Sequence, residues 1–224
     1  MRDVVEYPIM IKQGLSTANF TAATTDIITS NTHGLQNGDA VVVSSTTTLP
    51  AGLAASTVYY VFDVTANTFK LSATPVPRNY IIGRGDIQAV NITNTGTGTH
   101  TFVEHDIGRN IYCGDFRHAV VSVNTSNSAN LTLKFVGAVA DAYNNLDACP
   151  DFSASQSNSN AWDYVEVYDL EDGSAIDGDT GISPAGTDDQ RMFEINTNGL
   201  DWINCIITAW SAGDVTVTVK LYND

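Results

Sequence analysis

Apolar and polar residues along this chain alternate mostly with a period of two, and no 3.6-residue amphipathic pattern persists for three turns. The pattern predicts an all-β protein. In the first half, Asp39–Ser44 is an apolar run after the turn signal Gln36-Asn37-Gly38-Asp39. Thr57–Thr65 is rich in β-branched and aromatic residues, and in Phe69–Ser72 Phe69 and Leu71 face opposite to Lys70 and Ser72. The short linker Ala66-Asn67 predicts a tight hairpin, since Asn tolerates the left-handed backbone of such turns. Leu49-Pro50-Ala51-Gly52-Leu53 reads as a loop. Short runs at Asp26–Thr29, Tyr80–Gly85, Ile87–Thr93 and Thr101–Val103 complete a small antiparallel β domain over residues 14–104. Ahead of it, residues 1–13 read as an N-terminal arm, either an edge strand or a segment that packs on a neighbouring subunit.

From Arg109 the pattern lengthens. Ala119–Val123 and Leu131–Val136 flank the polar cluster Asn124–Ser128, which reads as a turn. Ala140–Asn160 predicts a long loop, a common place for binding or subunit contacts. Trp162–Asp169 and Arg191–Asn196 follow as strands. Trp202–Trp210 is apolar on both faces, with Ile203, Cys205 and Ile207 on one and Trp202, Ile206 and Trp210 on the other. Such a strand is central, or has one face covered by a partner. Ser211–Asp214 reads as the turn joining it to Val215–Tyr222 in a hairpin. Six such strands predict a β-sandwich over residues 105–224, with jelly-roll order as one option.

Charge sharpens this division. The chain of 224 residues carries 25 acidic and 10 basic residues, a formal charge of −15. Residues 1–104 contribute −2 and residues 105–224 contribute −13, with the change near Glu104–Arg109. A surface this acidic opposes binding to nucleic acid or to an anionic membrane, because both need clustered Lys and Arg. Cys113, Cys149 and Cys205 are odd in number and lack a CxxC spacing, so free, mostly buried thiols are expected. The opening MRDVVEYPIMIKQG lacks the apolar core of about 7–15 residues that marks a signal peptide. No run reaches the ~18 apolar residues of a membrane span. A soluble protein not exported by that route is the expectation.

Candidate chemistry is sparse. The acidic stretch Asp169–Gly181, with Asp188 and Asp189 beyond it, has the oxygen-rich, glycine-bent character of a Ca²⁺ loop. Its spacing departs from an EF-hand: from Asp177, position five is Gly181 and position twelve is Asp188 in place of Glu. A solvated acidic loop is the preferred reading. The acids do not read as paired carboxylates for glycoside hydrolysis, since they sit in turn sequences such as Asp172-Gly173 and Asp177-Gly178. His33, His100, His105 and His118 form no metal-ligating motif, and His33 is expected to hydrogen-bond locally. Gly96-Thr97-Gly98 lacks the Lys and helix of a phosphate loop. Trp162, Trp202 and Trp210, with Tyr164, Tyr168 and Tyr222, are read as core or interface in preference to a sugar platform. No catalytic, cofactor-binding or metal-ligating residue is therefore assigned, and a non-enzymatic role is expected.

Two stretches carry a resemblance. His33-Gly34-Leu35, Gly38-Asp39, Leu49–Leu53, Tyr59-Tyr60-Val61 and Asn67–Ser72 resemble a β module recurring in tailed-phage virion proteins, in tail, baseplate and head alike. Pro150–Ser153, Trp162–Val165, Asp169–Ser174, Ile176–Gly181, Glu194–Leu200 and the closing Gly213–Lys220 strand are similar to phage structural proteins, some of them capsid decoration proteins. The resemblance implies a virion structural protein assembled in the host bacterial cytoplasm, docking on other virion proteins (major capsid or tail proteins). It further implies a homo-oligomer, with a trimer as the habit of such proteins. A tail, baseplate or fibre component, or a carbohydrate-binding attachment module, are the alternatives.

Overall fold

The computed structural model describes residues 4–13, 17–76, 87–139, 149–157, 160–186 and 189–223. Every regular element among them is a strand: β1 Val4–Gln13, β2 Thr17–Ala22, β3 Ile28–Thr29, β4 Ala40–Ser45, β5 Val58–Phe62, β6 Thr68–Ser72, β7 His100–Glu104, β8 Ile111–Tyr112, β9 His118–Ala138, β10 Trp162–Tyr164, β11 Val167–Asp169, β12 Ala175–Ile176, β13 Ala185–Gly186, β14 Gln190–Asn196 and β15 Trp202–Tyr222. The all-β expectation holds. The chain divides into two compact units between His105 and Asp106, and the larger also takes in β1.

In the smaller unit β2-β3-β6-β5-β4-β7 close into a barrel, every pairing antiparallel. Closure leaves no strand edge to template aggregation. Phe20, Ile28, Val41, Val43, Tyr59, Val61, Phe69, Leu71 and Phe102 fill the interior, as expected for so few strands. The hairpin between β5 and β6 is present, but Asp63, at φ 52°, takes the left-handed backbone expected of Asn67. Asn67 instead accepts the Thr32 amide at its Oδ1 (3.0 Å) and the Ser30 amide at its carbonyl (2.9 Å), tying the turn to the segment that follows β3. Ile87–Thr93 forms an isolated bridge at Ala89 without becoming a strand. Tyr80–Gly85 lies outside the described residues.

The larger unit is one nine-stranded sheet whose main path runs β1-β15-β9-β14-β11-β12. Its axis is the pairing of β9 with β15, each 21 residues long. Here the structure corrects the sequence reading. Asn124–Ser128 is no turn between separate strands, and Ser211–Asp214 does not close a hairpin. Both stretches lie inside continuous strands and face one another: Ser126 pairs with Asp214 and Asn130 with Ala212, so residues 127–129 bulge opposite Gly213. Asn127 and Ser128 take left-handed φ of 56° and 57°, and Gly213 takes 83°. Turn-forming residues suit a bulge for the same backbone reason that they suit a hairpin.

The bulge preserves the inward face. Ala119, Val121 and Val123 before it, Ala129 at its end, and Leu131, Leu133 and Phe135 after it are buried in one core. Ile203, Cys205 and Ile207, then Val215, Val217, Val219 and Leu221, do the same on β15. β1 joins the sheet as an edge strand along the second half of β15, from Val4 opposite Tyr222 to Gln13 opposite Asp214. The segment read as an arm is thus part of this sheet. Trp162–Asp169, expected as one strand, is two: β10 on β9 and β11 on β14.

A Cβ on residue 213 would stand 2.3 Å from the Ala129 Cα, on a backbone that disfavours any side chain. Gly213→Ala is expected to destabilise the large unit by more than about 1 kcal/mol. Urea unfolding of the two proteins checks this, and equal midpoints would show that the bulge tolerates a side chain.

Candidate functional site

The residues of the 31–74 stretch have structural duties. The His33 Nδ1 accepts the Leu35 amide at 3.0 Å, the local bond expected of it, and its ring meets the Phe69 ring edge-on at 5.0 Å. Asp39 accepts the Gln36 amide at 2.7 Å, while the Gly38 amide and the Asp39 carbonyl bond both ways to Val61. The Tyr59 hydroxyl accepts the Ala54 amide at 2.9 Å, holding the loop after Gly52. Burial pushes the His33 imidazole below its ordinary value, only partly offset by the backbone of Thr65 and Thr68 and by the Asp39 charge.

The acidic stretch is likewise committed to its own backbone. Asp169 is buried and ion-paired with Arg191, and its other oxygen accepts the Glu171 amide at 2.9 Å. Asp172 accepts the Ser174 amide at 2.8 Å, and bonds from Ser174 hold its carboxyl below the usual range. Asp177 accepts the Asp179 amide at 2.8 Å. These are turn-stabilising carboxylates, each pointing at the residue two places on. Among the described residues no three His, Cys, Asp or Glu side chains converge as a metal site would need. Asp188 lies outside the described residues.

The tryptophans do not share one exposed platform. Trp202 and Trp162 stand in the same row, both opposite Ala138 of β9, yet Trp202 is only 1% exposed. Trp162 is held between Phe152 and Tyr164 at 5.9 and 5.6 Å, and its indole donates to the Ala154 carbonyl. Trp210 is 38% exposed, but sits at the bulge and donates to the Gly213 carbonyl. One face of Trp202–Trp210 is therefore core, and the other is covered only at its start.

Part of that cover comes from the long loop. Asn204, fully buried on β15, bonds the Gly108 carbonyl and Asn110, and Asn110 in turn donates to the Cys149 sulfur and the Pro150 carbonyl, each at 2.8 Å. Asn160 bonds the Asp151 backbone twice, pinning the segment that carries buried Phe152. The described portion of the loop expected to make subunit contacts thus packs on its own unit. Residues 140–148 and 158–159 lie outside the described residues. All three cysteines are thiols, as expected, with Cys113 and Cys205 in the core. Burial pushes the Cys113 thiol up, and pushes the Cys149 thiol up to about 12 despite the Asn110 bond.

Two groupings escape a reading of the sequence alone, because only strand register creates them. On β9, β14 and β15, His118 Nδ1 and the Tyr222 hydroxyl meet the same Glu194 oxygen at 2.9 and 3.1 Å, with the two rings stacked at 5.2 Å. On β11 and β14, Tyr168 lies opposite Glu194, and the Leu170 amide bonds the Met192 carbonyl. Period-two alternation puts Tyr168, Leu170, Met192 and Glu194 on the outer face.

No family model matches the chain, and no curated protein matches it. Solved structures similar to it include the SPBc2 prophage-derived protein YomS, 18% identical with a TM-score of 0.33, covering 51% of this chain and 79% of that one. They also include the PBSX exported protein XepA, 9% identical with a TM-score of 0.35, covering 99% of this chain and 81% of that one. Both neighbours are phage-derived proteins.

Two outcomes follow from the buried groups. The native protein is expected to leave the buried Cys113 and Cys205 thiols unlabelled by a thiol reagent at neutral pH, and the denatured chain to label at all three cysteines, read by mass spectrometry of the peptides. Rapid labelling of Cys113 or Cys205 in the native protein would contradict the burial. For His33, the unfolded chain takes up a proton first as pH falls below about 6.5, so barrel stability drops from there until the folded imidazole itself titrates. His33→Asn keeps an acceptor for Leu35 and does not titrate. Its unfolding midpoint is expected to fall less than that of the wild type between about pH 7 and pH 5.

Proposed function

We propose that this chain is a non-enzymatic structural component of a tailed-phage virion, acting on the head as a capsid decoration protein by docking on other virion proteins. One observation carries the reading. The residues that resemble the phage module, His33 through Ser72, supply three of the six barrel strands, β4, β5 and β6, and much of its core, so what they encode is a scaffold. The acidic turns support the same reading, because their carboxylates hold loops and are not aimed at a shared substrate position. The net charge of −15 keeps such a chain soluble before and after assembly. The protein works as a homo-oligomer, a trimer by the habit of decoration proteins.

The test is to mix the purified chain with capsids that lack it and to image them by cryo-electron microscopy. Ordered density at the local symmetry axes is expected, together with a solution mass three times the 24.0 kDa chain. Bare capsids alongside decorated tails would move the protein to the tail. Binding to neither would overturn the virion reading.

A further inference from the structure

Three of the exposed large apolar side chains lie side by side: Tyr168, Leu170 and Met192, at 41%, 47% and 56% exposure. Register makes them neighbours, since Leu170 meets Met192 across the strand pair while their sequence neighbours Asp169 and Phe193 point inward and are buried. A clustered apolar patch on an otherwise polar face marks a contact site more often than scattered apolar residues do.

Charge narrows what the patch accepts. Between Lys134 and Arg191 the chain has twelve acidic residues and no Lys or Arg. Glu166, Glu171 and Asp172 are exposed beside the patch, and the Glu166 carboxylate holds the Tyr168 phenol above its ordinary value. Arg191, the base on β14, is ion-paired with Asp169. Nucleic acid and anionic membrane are repelled from such a rim. A second copy docking through the same patch would set acids against acids.

We propose that the Tyr168–Leu170–Met192 patch is a docking surface for a neighbouring virion protein that presents an apolar hollow rimmed by Lys and Arg. Met192 and Leu170 enter the hollow, and the acidic rim meets the cationic one. The proposal rests on the virion reading and assigns its docking face. The homo-oligomer contacts then lie elsewhere on the chain.

The experiment uses the full chain with heads and tails purified separately from a phage that cannot make this protein. Binding is measured by cosedimentation. Leu170→Asp with Met192→Asp is expected to weaken binding at least about tenfold. Glu166→Lys with Glu171→Lys, which spares the apolar residues, is expected to weaken it as well, and raising NaCl from about 50 to 300 mM to weaken wild-type binding. Ile27→Asp, an exposed apolar site in the barrel, is the control and is expected to bind as wild type. Circular dichroism and thermal melting establish that each variant is folded. Wild-type binding that either double variant retains in full overturns the patch and leaves the virion reading standing. A wild-type chain that binds neither heads nor tails removes both.

Discussion

The large unit depends on the β9–β15 ladder. Two strands of 21 residues run antiparallel through the centre of the sheet, and the other strands of the path attach to one or the other, directly or through β14 and β11. The register shifts at three places, between Ile207 and Ala209, Trp210 and Ala212, and Ala212 and Asp214, and what keeps β9 on a single core is the parity of its own insertion. Four positions separate buried Thr125 from buried Ala129, an even number, so the inward set stays inward past the irregularity. An odd insertion would have turned Leu131, Leu133 and Phe135 outward. The side chains at the bulge hold it: Ser126 and Asn127 both donate to the Asp214 carboxylate, and Ser211 donates to the Asn130 carbonyl.

The fold class, the barrel strands and the alternating faces were legible because each rests on local period-two patterning, which burial enforces residue by residue. The bulge was not. Asn124–Ser128 and Ser211–Asp214 have the composition of turns, and composition reports a backbone that departs from the extended state without saying whether the chain reverses. Only the pairing partner decides, and that partner is some ninety residues away. The outward Trp202 shows the same limit. Its burial comes from register with Ala138 and from Tyr112, neither of which any local pattern links to it.

Candidate chemistry divided along the same line. His33 and the acidic turns were readable because their partners lie within three residues. The Glu194 cluster and the Tyr168–Leu170–Met192 patch were not, since each is assembled from strands that only register brings together. Buried Asn204, bonded through Asn110 to the backbone of Pro150, is a third case: a polar residue in an apolar run that holds a covering loop to the sheet.

The pairing of β1 with β15 imposes an order on synthesis. β1 is made before the other described strands, yet the strand it must pair with is made about 200 residues later, so it waits unpaired while all the strands between them are made. The barrel has no such wait. All six of its strands lie between Thr17 and Glu104, and its core is complete before β9 has been made. A nascent chain therefore holds a finished barrel with an open strand ahead of it, and Pro8, which cannot donate to a ladder, makes that strand a poor template for stray pairing in the interval.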